Sequence, residues 1–284
     1  MSPQPSHLID LDTYFARIGY SETPTPTLST LQTLHALHTE HIPFENLDPL
    51  LGRLVALDLP SLEAKLVRSH RGGYCYEHNL LFAHVLEQLG FTPRRLAARV
   101  LWNQPADTLP HRSHMLVQVS VEQRQYIVDT GFGGNTLTGP ICLDQQGAQQ
   151  TAHGQFRVSS HDGLYLLETL LQGEWRKLYQ FDLQAQYPID YEAVNYYLCT
   201  HPSSHFRYAL YAALASTEGR LSLLNDRVTL VRPNGEIQRE RLRDAAHAQD
   251  ILAQRFGIDV PDPALLRDLW PRLHTPVRPG EPAD

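Results

Sequence analysis

Apolar positions recur with a helical period over the first ninety or so residues and with a period of two for much of the rest, and that change organises the chain. A short segment around Asp12-Thr13-Tyr14-Phe15 predicts a first helix. In TPTPTLSTLQTLHALHTEHI, Leu28, Leu31, Leu34 and Leu37 step round one face of a second, and Ser61 to Leu66 opens another. After RGGYCYEHN at 71–79, Leu80, Leu81, Phe82, Val85, Leu86 and Leu89 predict an amphipathic helix that Gly90 stops. From about Arg94 the runs LAARVLW, HMLVQVSV, QYIVDT, QFRVSS, LYLLETL and WRKLYQF predict short strands of a small sheet or barrel. Beyond PIDYEAVNYYLCTHPSSHF come two hairpin-like runs, RLSLLNDRVTLV and then Glu236-Ile237 after Asn234-Gly235, and a helix AQDILAQRFG. The tail from Pro271, rich in proline and charge, reads as disordered, and no internal repeat is visible.

Composition narrows the classes. A chain of 284 residues, 42% hydrophobic and 19% charged, has ample length to bury a core. No apolar run approaches the roughly 18 residues that span a bilayer, and MSPQPSHLIDLDTYF is no secretory signal, so no membrane partner and a cytoplasmic location are expected. Three cysteines without a CxxC argue against a disulfide framework and a cysteine-rich zinc site. The net charge of −7, with no Lys/Arg block, gives nucleic acid no electrostatic support.

Candidate chemistry begins at Cys75, which follows Gly72-Gly73 at the start of the helix after RGGYCYEHN. Unpaired N–H groups and the positive dipole end favour a thiolate there, while Glu77 opposes it unless turned aside; the same pattern suits a buried structural cysteine. A nucleophile needs an imidazole base and an orienting group. HMLVQVSV and QYIVDT form a hairpin, and if Glu122 and Gln123 are its turn, Val117 faces Val128, Val119 faces Tyr126 and Leu116 faces Asp129. His114 and Asp129 then share a face at a diagonal spacing of about 7–8 Å, whereas a one-residue slip separates them. By the same parity His111 points away. The GFGGNTLTG loop beyond Asp129, with Gly131, Gly133 and Gly134, can cradle an oxyanion or a pyrophosphate, though an irregular turn fits as well. His35, His38 and His41 have a spacing that can serve a metal, but no carboxylate or cysteine partner is evident, and no metal is expected. Cys142 and Cys199 sit among apolar or aromatic neighbours and read as packed thiols.

LDTYFARIGY, HIPFENLDPLLG at 41–52, RGGYCYEHN, HRSHMLV, YIVDTGFGG, HPSSHF at 201–206 and RFGIDVP at 255–261 together resemble, in order and nearly end to end, the arylamine N-acetyltransferases. The resemblance implies an α+β chain: a helical bundle at 1–92 carrying the nucleophile, a β-barrel at 93–195 carrying the His and Asp, and an α/β lid domain at 196–284, around a cysteine-protease-like catalytic core. It implies Cys75 as acyl-accepting nucleophile, His114 as its base and Asp129 as orienter. Phe132 with Gly131, Gly133 and Gly134 would border the substrate pocket and the CoA path, and Glu45 and Arg71 would have structural duties. The implied reaction is ping-pong acetyl transfer from acetyl-CoA, as co-substrate, to aromatic amines, hydrazines or arylhydroxylamines, by a monomer or homodimer. Use of another acyl donor, amide synthesis, and cysteine hydrolase or transglutaminase-like chemistry are the alternatives the same triad would serve. Thr130, where an apolar residue is expected, and His205 depart from the family pattern.

Overall fold

The computed structural model of the chain describes residues 8–105 and 107–273. Helix α1 (Leu11–Ile18) starts where the Asp10 side chain accepts the Thr13 N–H and ends at Gly19, whose φ of 72° suits glycine. Helix α2 (Leu28–His41) is capped by Thr27 and buries Leu31 and Leu34. Then come the short strand β1 (Phe44–Glu45), the turn-length α3 (Leu47–Leu50), α4 (Leu59–Leu62) running into a π-helical stretch (Glu63–Arg68), and α5 (Cys75–Gln88). The sequence pattern predicts α5 to be amphipathic, but the structure buries its first nine residues on every side and exposes only its C-terminal turn at Glu87. Cys75 to Ala83 are all buried, so Glu77, His78 and Asn79 are buried among the apolar side chains and must find partners inside the protein.

The strands that follow are β2 (Thr92–Val100), β3 (Arg112–Val121), β4 (Arg124–Val128), β5 (Ile141–Cys142), β6 (Gln149–Thr151), β7 (Gly154–His161), β8 (Leu164–Leu171) and β9 (Glu174–Phe181). They form one antiparallel sheet in the order β5-β4-β3-β2-β9-β8-β7-β6, curled into a nearly closed barrel. The β3–β4 register pairs Val117 with Val128 and Val119 with Tyr126, as the expected hairpin requires. Its turn residues Glu122 and Gln123 have φ of 51° and 62°, the positive values a two-residue type I′ turn needs. Both faces of β3 are covered: Met115, Val117 and Val119 pack with the helices, while Leu116 packs with Ile127, Phe156 and Phe181 inside the barrel. At the seam the Gln149 side chain stands in for a missing ladder rung, accepting the Cys142 N–H and donating to the Cys142 carbonyl, both at 2.8 Å.

The helix α6 (Pro188–Thr200) and the last helix α8 (Pro263–Leu273) are not apparent from the sequence pattern. Nor is β10 (Tyr211–Ser216), an alanine-rich run with little contrast between apolar and polar positions. It joins β11 (Gly219–Leu224), β12 (Arg227–Val231) and β13 (Ile237–Arg241) in a second antiparallel sheet, with α7 (Ala245–Phe256) beside it. Strand β1 completes this sheet by pairing Phe44 with Ala213, so a segment from the helical part is built into the C-terminal layer. The reading of disorder from Pro271 is corrected at its start, because Pro271 to Leu273 end α8 with Trp270 and Leu273 buried in the core. The rest of that tail lies outside the described residues.

Candidate active site

Cys75 opens α5, held close to the GFGG loop by glycine: a Cβ on Gly131 would lie 2.7 Å from the Cys75 Cα. Gly72 is equally constrained, since its Cβ would lie 2.0 Å from the Pro43 carbonyl oxygen. Beside the thiol lies β3, where the ladder skips a residue: Ala98 pairs with His114 and Arg99 with Arg112. Ser113 is thus the extra residue of a bulge, and its carbonyl lies 3.8 Å from the Cys75 sulfur. His114 Nε2 hydrogen-bonds Asp129 Oδ2 at 2.7 Å, and the imidazole is within hydrogen-bond reach of the Cys75 thiol. The bulge also explains a departure from regular-strand parity: His111 lines the same cavity as His114 rather than facing away.

Burial opposes charge on His114, but the Asp129 charge and hydrogen bond, helped by the Cys75 sulfur, outweigh it and raise the imidazole to about 10. Burial likewise opposes ionisation of Asp129. The His114 charge and hydrogen bonds from His114, Asn79 and the Gly131 N–H overcome that and hold the carboxyl below its usual range. The arrangement therefore stores a proton on the imidazole beside the sulfur.

Asn79 is the residue that sequence reasoning missed. Its Nδ2 donates to Asp129 Oδ1 at 2.9 Å and to the Met115 carbonyl at 2.8 Å, and its Oδ1 accepts the Thr130 N–H and hydroxyl. This explains Thr130 as a buried hydroxyl that an apolar residue would leave unmade. The signal was present, because Asn79 lies four residues after Cys75 and so on the same helical face. Thr136 Oγ1 donates to the Asp129 carbonyl, and His35 Nε2 lies 3.3 Å from the same oxygen.

Glu77 is turned away from the thiol. Its Oε2 accepts the Tyr74 N–H and its Oε1 pairs with Lys65 at 2.7 Å; burial outweighs that attraction and raises the carboxyl to about 7. Arg71 donates to Glu45 through Nε and Nη2, at 2.8 and 2.6 Å. His38 lies between Tyr14 OH and His78, each at 2.9 Å, and His78 Nε2 bonds the Pro43 carbonyl. His41 bonds the Leu37 carbonyl. These histidines are thus engaged within the protein, and among the described residues no group of three His, Cys, Asp or Glu side chains is placed to hold a metal. Cys142 and Cys199 are buried, the latter beside Tyr74 and Asn195.

The sulfur and imidazole open onto a cavity of about 600 Å³. Phe132, Gly131, Gly133 and Gly134 line it, as do His205 and Arg227. The Phe132 ring meets the His114 ring edge-on with centroids 5.1 Å apart, and the His205 ring lies 4.4 Å from that of Phe206.

A family model described as N-acetyltransferase matches residues 27–265. An arylamine N-acetyltransferase of Mycolicibacterium smegmatis is 44% identical over 258 residues, covering 89% of this chain and 94% of that protein. The chain belongs to the arylamine N-acetyltransferase family. A Salmonella typhimurium relative named arylamine N-acetyltransferase / N-hydroxyarylamine O-acetyltransferase is 39% identical, covering 89% of this chain and 90% of that one. Among solved structures, the arylamine N-acetyltransferase of Mycobacterium marinum in complex with CoA is similar with a TM-score of 0.88 at 39% identity, over 92% of this chain and 98% of that one. The α+β architecture of this family, helices around a curled sheet with a second sheet alongside, is therefore the architecture of this chain.

Proposed function

We propose that this protein transfers an acetyl group from acetyl-CoA to arylamines, hydrazines or arylhydroxylamines by a ping-pong route through an acyl-enzyme on Cys75. The observation that carries the reading is His114, hydrogen-bonded to Asp129 on one side and reaching the Cys75 thiol on the other, at the wall of a cavity of about 600 Å³. Family membership and a relative solved with CoA support the acyl donor.

In this reading the Cys75 thiolate attacks the acetyl carbonyl carbon. The carbonyl to CoA–sulfur bond breaks, and CoA leaves as a thiol with the proton from His114. The amine nitrogen then attacks the acetyl carbonyl carbon, its surplus proton passes to His114, and the bond between that carbon and the Cys75 sulfur breaks, returning the thiolate and releasing the amide. Asp129 orients the imidazole and stabilises its charge throughout. Thioester-to-thioester exchange is close to balanced in energy, so the protein mainly supplies a ready thiolate and a site that limits water. Phe132 and the Gly131, Gly133 and Gly134 backbone border the path of both substrates.

Incubation with acetyl-CoA and no amine should add one acetyl group to Cys75 by mass spectrometry, and Cys75→Ala should release no CoA with any amine. An unmodified Cys75 in turning-over protein would sink the reading. Peptide or glutamine turnover exceeding CoA-dependent transfer would favour the hydrolase or transglutaminase-like alternative. Among the described residues no helix is long and apolar enough to cross a membrane. A cytoplasmic location is our reading, supported by three unpaired cysteines, and a monomer or homodimer is expected on sizing with light scattering.

A further inference from the structure

Arg220 is a partly buried cation whose role the triad chemistry does not explain. Its Nη1 donates to the Gly134 carbonyl and its Nη2 to the Thr136 carbonyl, both at 2.9 Å, and its Nε donates to the His153 carbonyl at 3.1 Å. The guanidinium lies 5.9 Å from the centre of the Phe156 ring, and burial lowers its pKa to about 10. Its hydrogen-bond acceptors are thus main-chain carbonyls of two segments, an expensive use of a charged group. The placement is built into the backbone: Gly219, just before it, has φ of 132° and a Cβ there would lie 2.1 Å from the Val231 carbonyl oxygen.

The clamp acts on the wall of the cavity. Gly133, Gly134 and Asn135 line it, and Arg220 reaches that loop from β11 of the second sheet. A trans peptide directs its N–H opposite to its C=O, so fixing the Gly134 carbonyl toward the guanidinium turns the Asn135 N–H the other way. Asp129, by contrast, keeps independent holds from Asn79, from the Gly131 N–H and from His114. Losing Arg220 would therefore loosen the loop while leaving the triad in place. Of the two substrates, the acyl donor carries the amide and phosphate oxygens that such a loop can meet, whereas a simple arylamine carries few acceptors.

We propose that Arg220 is a positioning residue for the acyl donor, setting the Gly134–Thr136 backbone against the chain of the thioester that delivers the acyl group to Cys75. The proposal rests on the acyltransferase reading above. The test compares acetyl-CoA with p-nitrophenyl acetate, an acyl donor lacking the CoA chain, in Arg220→Met and Arg220→Lys. In Arg220→Met the KM for acetyl-CoA should rise about tenfold while kcat/KM for p-nitrophenyl acetate stays within about twofold, with Arg220→Lys between. Iodoacetamide labelling of Cys75 should keep the pH profile of the unsubstituted protein. An unchanged KM for acetyl-CoA, or an equal loss with both donors in either variant, would overturn it. Failure of the parent reading is distinct: the unsubstituted protein would then not be acetylated by acetyl-CoA at all.

Discussion

At the scale of single residues, the site depends on one carboxylate that is both buried and fully bonded. Asp129 keeps His114 protonated, so Asp129→Asn, which preserves shape and removes charge, should lower kcat/KM by about 10³- to 10⁴-fold, as loss of an orienting carboxylate does in comparable triads. NMR titration of His114 should show a ring still protonated at pH 8 in the unsubstituted protein and titrating well below that in the variant, since its rise to about 10 depends on Asp129. Asn79→Ala would strip partners from Asp129 Oδ1, the Met115 carbonyl and the Thr130 N–H. Each buried polar group left unpaired costs about 1–3 kcal/mol, so a loss of roughly 2–5 kcal/mol is expected by urea unfolding. His114 and Asp129 were legible in the sequence because a two-residue turn and a period of two determine which side chains share a face. His111 was misread because one bulge residue, Ser113, inverts the parity beyond it.

At the scale of elements, close approach at Gly131 adds to the Asn79 hydrogen bonds in joining the loop to the helix. Gly131→Ala should push the loop off α5, since its Cβ would meet the Cys75 Cα at 2.7 Å. We expect activity to fall at least tenfold with far-ultraviolet circular dichroism unchanged, measured by CoA release. The barrel seam tests a different joint. Gln149→Leu removes two bonds that the Cys142 backbone makes, so hydrogen exchange at the Cys142 amide should speed up and stability fall by about 1–3 kcal/mol. The helical run of α5 and most barrel strands could be read from the chain because their apolar spacing is regular. Strand β10 and helices α6 and α8 could not. Alanine-rich YAALAS carries little pattern contrast, and α6 mixes Tyr191, Leu198 and Cys199 inside with exposed Ile189 and Tyr196 outside.

At the scale of the whole molecule, buried titrating groups shape acid stability. His35 and His78 are lowered to about 4 by burial, against an ordinary value near 6.5 in the unfolded chain. At pH above 6.5 neither state is protonated there; below it the unfolded chain binds protons first. Stability is therefore lost as pH falls from about 6.5 toward 4, by up to about 3 kcal/mol per histidine. Glu77, raised to about 7 by burial, works the other way over the same range and offsets about one histidine, while His38, held well below its ordinary value by burial, adds to the acid loss. His114, raised to about 10, adds stability that is complete below 6.5 and vanishes as pH climbs through 10. Urea midpoints should hence peak near neutral pH, and His35→Leu should flatten the acid limb.

The sequence by itself determined the family, the early helices through α5 with most of the barrel strands, and the hairpin that brings His114 to Asp129. These follow from local periodicity and motif order, which a chain carries wherever it folds. Only the tertiary structure decided that Cys75 reaches that imidazole, that Glu77 turns to Lys65 rather than to the thiol, that Asn79 completes the carboxylate's bonds, and that Arg220 clamps the glycine loop. Each of these joins positions distant in sequence or depends on which buried polar group finds a partner. Burial and pairing are properties of the packed molecule, and no local pattern encodes them.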